Sequence, residues 1–160
     1  MTPDPDRATS LPGLIAERKR WATEGRSVVL TNGCFDLLHP GHVLLLEAAR
    51  GEGDLLVVAM NSDRSVRQIK GKDRPLTTEA ERAEALLALE WVDRVVIYDE
   101  PTPAAIIEAL VPDVLVKGAD WALNEIVGRE TVTGGGGRVV RVPLVAGQST
   151  TAVVDRIRRT

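Results

Sequence analysis

The sequence predicts an α/β fold, a parallel sheet of about five strands with helices on both faces, in a single domain. Three observations predict it. Short apolar runs (SVVL, DLLVVAM, RVVIY, DVLV) recur along the chain, and helical segments of about ten residues separate them, which is the alternation of βαβ units. These runs are continuously apolar, as strands buried on both faces are. A chain of 160 residues with 44% hydrophobic content and one cysteine can close one core without disulfides or a structural metal.

Residues 1–10 (MTPDPDRATS) offer little to bury and are expected to form a flexible lead-in. Over 11–25, Leu11, Leu14, Ile15 and Trp21 recur at helical spacing, and Gly25 stands where a glycine ends a helix. The core, 26–160, opens with the strand residues Val28, Val29 and Leu30. Pro40 to Arg50 reads as a helix with proline in its first turn and Gly51 just past its end. Asp54 to Met60 is a second strand, ending in a turn at Asn61-Ser62-Asp63. Glu79 to Glu90 is helical, with Thr77 or Thr78 as cap. Asp93 to Tyr98 is a third strand, Thr102 to Leu110 a helix, and Asp113 to Val116 a fourth strand. Arg138 to Val142 alternates as a fifth strand, Thr150 to Arg159 closes as a helix, and Gly134 to Gly137 reads as a flexible turn.

Composition narrows the function. With 20 Lys+Arg against 23 Asp+Glu, the chain lacks the net basic face that nucleic-acid backbone binding uses. A lone cysteine excludes an internal disulfide and a Cys-only zinc site. The start has no signal-peptide pattern, and no apolar run approaches the roughly 18 residues of a membrane span. A soluble cytoplasmic protein, bound to neither membrane nor nucleic acid, is expected.

Ligands of a parallel sheet bind beyond the carboxyl ends of its strands, so the segments Thr31–His42, Asn61–Arg74, Lys117–Trp121 and Gly147–Thr151 carry the interest. In TNGCFDLLHPGH, His39 and His42 stand three apart across a helix opening. That spacing places both imidazoles on one face of the first turn, beside amides with no internal partner, which makes an anion site. Gly33 and Gly41 would let a phosphate approach the backbone. The same spacing also suits histidines that only cap the helix, and Cys34, His39 and His42 would supply three zinc ligands with no second cluster. The GxxxxGK[ST] loop is absent and Gly51-Glu52-Gly53 lacks the third glycine of a dinucleotide fingerprint, which weakens kinase and NAD-enzyme readings.

TNGCFDLLHPGH, with NSDRSVRQIKGKDRP, VLVKGADW and AGQSTT, resembles the HxGH nucleotidyltransferase (cytidylyltransferase-like) superfamily, which has a Rossmann-like fold. Within it the closest likeness is to the adenylyltransferases of D-glycero-β-D-manno-heptose 1-phosphate. The resemblance implies transfer of AMP from ATP to the sugar 1-phosphate, giving ADP-heptose and pyrophosphate, with Mg²⁺ accompanying ATP. It also implies a homodimer, and a separate heptose kinase, because the chain begins too near its first strand to include one.

Position by position, the resemblance implies that His39, His42 and Lys70 are catalytic. Thr31, Asn32 and Phe35 line the nucleotide site, Gly41 belongs to the signature, and Asp36 lies near the transferred phosphate and metal. Lys117 and Asp120 lie near the base, and Ser149, Thr150 and Thr151 begin the helix that meets the triphosphate. Arg74 is implied as a phosphate ligand of the substrate, and Asp63 either contacts sugar hydroxyls or forms an Asx turn. Lys72 is either solvated or a ligand, Arg82 a surface ion pair or a ligand, and Trp121 a lid or a nucleotide contact. Gln148 replaces the family's small apolar residue and leaves the packing of that loop open. A phosphate dianion needs no general base, so no Ser-His-Asp or paired-carboxylate constellation is expected. Two alternatives stand beside this reading: a cytidylyltransferase of an alcohol phosphate such as glycerol 3-phosphate, and a non-catalytic nucleotide-binding module.

Overall fold

A computed structural model describes residues 7–160. Six parallel strands form one sheet: β1 (Ala8–Thr9), β2 (Val28–Gly33), β3 (Leu55–Asn61), β4 (Arg94–Tyr98), β5 (Val114–Gly118) and β6 (Arg138–Val142), in the order β1-β4-β3-β2-β5-β6. The helices are α1 (Leu11–Thr23), α2 (Pro40–Arg50), α3 (Asp63–Lys70), α4 (Glu79–Leu87), α5 (Ala104–Leu110), α6 (Arg129–Gly134) and α7 (Thr150–Arg158). None among the described residues is long and apolar enough to cross a membrane.

Successive residues of each strand point to opposite faces, and two cores follow from that period. Val28, Leu30, Leu55, Val57 and Ala59 pack against Leu14 and Trp21 of α1 and Ile106, Ile107 and Leu110 of α5. Their neighbours Val29, Leu56, Val58 and Met60 pack against Leu46 and Ala49 of α2 and Ala83, Leu86 and Leu87 of α4. The chain reverses its direction of travel across the sheet between β2 and β5, which pair from Val29–Val114 to Thr31–Val116. That switch opens a crevice at their carboxyl ends.

The expectation of about five strands is corrected to six. Ala8 and Thr9, expected in the flexible lead-in, pair with Val95 and Val96, and the Arg7 guanidinium donates to the carbonyls of Leu87, Val92 and Asp93. The first six residues of that lead-in lie outside the described residues. The expected turn at Asn61–Asp63 runs into α3, capped by the Ser62 hydroxyl, which accepts from the Ser65 amide. Thr78 caps α4 in a reciprocal box with Glu81. The glycine run is the end of α6 and its exit. A Cβ on Gly137 would lie 2.6 Å from the Asp113 carbonyl oxygen, so close packing against that backbone requires glycine there.

Candidate active site

Two cavities meet at the carboxyl end of β2. One, of about 170 Å³, lies toward β5 and is lined by Thr31, Phe35, His42, Gly118, Asp120 and Leu144 among others. The second, of about 320 Å³, lies toward β3 and β4, with Asn61, Ile69, Lys70, Tyr98 and Thr102 in its wall. Asn32, Gly33, Cys34, Lys117 and Trp121 line both. Backbone strain marks the junction: Phe35 adopts φ 50°, left-handed and rare for a bulky residue. A Cβ on Gly33 would lie 3.1 Å from the Phe35 ring.

The histidines come together as expected, with ring centroids 3.8 Å apart and stacked. His39 caps α2, its Nδ1 accepting from the Gly41 amide at 3.1 Å. In a neutral imidazole an accepting Nδ1 leaves the proton on Nε2, so His39 presents an N–H donor outward. The amides of His42 and Val43 donate to the His39 carbonyl, and Pro40 has no N–H. The expected unpaired amides are therefore absent from the first turn of α2. Gly41 is needed for its neighbours: a Cβ would lie 2.9 Å from the His39 ring and 3.2 Å from the Gln148 Cβ.

His42 is held neutral. Burial, then the neighbouring His39 and Lys70, push its pKa down to about 4 against the opposing pull of the Leu37 backbone. Burial also lowers that of His39. At neutral pH both imidazoles are thus neutral, and Lys70 and Lys117 are the lysines in the cavity walls. Lys70 is the last residue of α3 and lines the larger cavity. Burial pushes the Lys117 ammonium pKa down, against Asp120, and its Nζ lies 5.2 Å from the centroid of the Trp121 ring. Trp121, 45% exposed, lines both cavities.

Four expectations change on the geometry. Asp36 is not placed as a metal or nucleotide ligand. Its carboxylate accepts from the Leu76 and Thr77 amides at 2.8 and 3.1 Å and from Arg74 Nε at 2.8 Å. Burial pushes the Asp36 pKa up, but Arg74 and those amides outweigh it and hold it below the ordinary value. Arg74 is clasped by Asp36, with its Nη2 buried and unpartnered. The Asp63 carboxylate makes no Asx turn but accepts from Arg82 at 2.7 Å, and Asp63 is absent from the walls of both cavities. Arg82 is neither a surface pair nor a ligand. It is 2% exposed and donates also to the carbonyls of Cys34, Asn61 and Thr77, tying three segments together behind the site.

Ser149 caps α7 by accepting from the Ala152 amide at 2.9 Å. The Thr150 hydroxyl donates to the Leu37 carbonyl at 3.4 Å, joining α7 to the histidine loop. The Thr150 and Thr151 amides, ahead of the first intrahelical bond, are what the head of α7 offers an anion. Lys72 is exposed. Cys34 donates weakly to Asn61 Oδ1 at 3.7 Å, and burial raises its thiol pKa. A protein-held Mg²⁺ does not fit: among the described residues no three His, Cys, Asp or Glu side chains converge, and Asp36 is fully engaged.

Sequence reasoning missed Tyr98, Asn61 and Ser65. Tyr98 Oη donates to Asn61 Oδ1 at 3.1 Å, and Asn61 Nδ2 donates to Ser65 Oγ at 3.0 Å. The available signal was positional, since Asn32, Asn61 and Tyr98 each stand at or next to the carboxyl end of a strand.

A cytidylyltransferase-like family matches residues 30–156. The chain is 52% identical over 154 residues to the bifunctional protein HldE of Azorhizobium caulinodans, covering 92% of this chain and 32% of that protein. It is 54% identical over 157 residues to the HldE of Geotalea uraniireducens, covering 98% and 32%. The chain thus spans about a third of the length of these curated relatives. Among solved structures, a lipopolysaccharide core biosynthesis protein from Thermoplasma volcanium superposes with a TM-score of 0.61 at 29% identity, over 76% of this chain and 98% of that one. Pantoate-β-alanine ligase from Francisella tularensis superposes with a TM-score of 0.61 at 14% identity, over 89% and 67%, a likeness of fold alone.

Proposed function

The chain belongs to the cytidylyltransferase-like family of nucleotidyltransferases, and from that premise we propose that it transfers AMP from ATP to D-glycero-β-D-manno-heptose 1-phosphate, giving ADP-heptose and pyrophosphate. The observation that carries this reading is the junction of two cavities at the β2 carboxyl end, with His42 in the wall of one and Lys70 in the wall of the other. Two reactants of different shape can be seated there with their phosphates in contact. The HldE relatives and the Thermoplasma lipopolysaccharide core biosynthesis protein support the heptose assignment.

ATP occupies the cavity toward β5, with its base near Asp120 and Trp121 and its triphosphate between the imidazoles and the head of α7. An oxygen of the sugar phosphate, largely dianionic at pH 7, attacks the α-phosphorus. The new O–P bond forms as the bond to the bridging oxygen breaks, and pyrophosphate leaves with the electron pair. The His39 and His42 N–H donors and the Lys70 ammonium stabilise the charge that grows on the phosphoryl oxygens. Asp36 positions Arg74 and the loop around it. Mg²⁺, where needed, accompanies the triphosphate. A cytoplasmic setting suits these substrates, and a kinase that forms heptose 1-phosphates supplies the acceptor.

The test is pyrophosphate release from the purified protein with Mg²⁺, each of the four nucleoside triphosphates, and a panel of sugar 1-phosphates and glycerol 3-phosphate. Release with ATP and the heptose 1-phosphate is expected. Release with CTP and glycerol 3-phosphate instead would make the chain a cytidylyltransferase, and nucleotide binding without release across the panel would make it a binding module.

A further inference from the structure

The larger cavity has a feature that phosphate binding leaves unexplained. Asn32, on its wall, carries a side-chain oxygen that is buried and without a hydrogen-bond partner. A chain of hydrogen bonds dictates why that atom is an oxygen. The Glu100 backbone carbonyl can only accept, so the Ser65 hydroxyl donates to it, at 2.8 Å. Ser65 Oγ therefore accepts from the Asn61 amide nitrogen, which turns Asn61 Oδ1 to the Tyr98 hydroxyl at 3.1 Å. Tyr98 has one proton and gives it to Asn61. Burial, the largest influence, pushes its pKa up to about 12, so that proton stays in place. Its oxygen is then left to accept from Asn32 Nδ2, at 3.3 Å, and Asn32 can present only Oδ1.

We propose that the 320 Å³ cavity between the carboxyl ends of β2, β3 and β4 is the acceptor subsite, and that Asn32 Oδ1, oriented by Tyr98, reads a hydroxyl of the acceptor. This deepens the transferase reading and rests on it for the identity of the second reactant. The chemistry selects the ligand class. A phosphate dianion has no proton to donate, so an obligate acceptor such as Asn32 Oδ1 disfavours phosphate at that point and favours an O–H. The ammonium groups of Lys70 and Lys117, in the same wall, take the phosphate. The occupant is therefore a phosphate monoester that also carries a free hydroxyl, and a volume of this size falls at the low end of small-ligand sites. Asn32 is a specificity-determining residue and Tyr98 a positioning residue that acts through it.

The test is calorimetric binding of D-glycero-β-D-manno-heptose 1-phosphate, inorganic phosphate and ATP, each titrated separately into the full chain and into its Asn32→Ala and Tyr98→Phe variants. Both variants are expected to weaken the heptose phosphate about tenfold or more. Tyr98→Phe, at a residue outside the wall of the cavity toward β5, leaves ATP and inorganic phosphate within about twofold, and Asn32→Ala, at a residue that lines both cavities, weakens ATP less than it weakens the heptose phosphate. A merely structural role would weaken ATP in step, and that result overturns the proposal. So does unchanged heptose phosphate affinity in Asn32→Ala, whose half-buried side chain can be removed even if Tyr98→Phe does not fold. A wild type that binds ATP but not the heptose phosphate also overturns it. If the wild type binds both yet releases no pyrophosphate when they are combined, the transferase reading falls and the subsite stands.

Discussion

The two ends of this sheet are built from similar polar residues to opposite effect. At the amino ends, aspartates close the strands: Asp113 accepts from the Val28 amide at 2.7 Å, Asp93 from Leu56 at 2.8 Å and Asp54 from Ser27 at 2.8 Å. At the site end, the buried side-chain atoms found without partners among the described residues are Asn32 Oδ1, His42 Nδ1 and Arg74 Nη2. An unsatisfied buried polar atom costs about 1–3 kcal/mol, so a fold tolerates several together only where a ligand completes them. The closed end supplies stability, and under the proposed function the open end supplies binding. Substitutions at the two ends should accordingly separate stability from activity.

The largest effect is expected from His39→Ala and His42→Ala. Each should lower kcat for pyrophosphate release by about 10²-fold or more, roughly 3 kcal/mol, and His39→Ala should also cost about 1 kcal/mol of stability through loss of the α2 cap. Near-normal turnover in both would erase the distinction between the ends. Next comes acid sensitivity. His42 folds with its pKa near 4, below the ordinary imidazole value of 6.5, so between those values the unfolded chain binds a proton that the folded chain does not. Stability should be level above pH 6.5 and fall as pH drops toward 4, by up to ~3 kcal/mol. Denaturant melts across that range check it, and His42→Gln should flatten the slope.

At the closed end, Asp93→Ala should cost about 2 kcal/mol by leaving the Leu56 amide unpaired. Its kcat/KM should be unchanged, as urea melts and assays on one preparation would show. The smallest effect sharpens the comparison within the site end. Thr150→Val removes only the 3.4 Å bond to the Leu37 carbonyl and should cost about 0.5 kcal/mol in the same urea melts. A cost above about 2 kcal/mol would mean that α7 anchors the histidine loop far more strongly than that bond implies.

What could be read from the sequence follows the range of the interactions. Strand runs and the proline-started α2 were legible because burial on both faces and capping leave their marks within a few residues. The segment of α3 (DRSVRQIK) has only Val66 and Ile69 as apolar residues and α6 only Val132, too few for a helical period to show. His39 and His42 were legible because their spacing itself makes the geometry. The Asp36 clasp joins residues 38 to 41 apart in sequence, and the burial of Arg82 depends on acceptors at Cys34, Asn61, Asp63 and Thr77. Such long-range pairings left no local signal, so two structural residues were read as ligands or surface charge. The neutrality of His42 also arises only on folding, through burial beside Lys70.

A crystal structure of the protein with a non-hydrolysable ATP analogue tests the central claim most directly. The account predicts the α-phosphate within hydrogen-bonding distance of the His39 and His42 imidazoles, the base beside Asp120 and Trp121, and the cavity of Asn32 and Tyr98 open for the second reactant. Phosphates seated away from both imidazoles, or a base filling the cavity beside Tyr98, would contradict it.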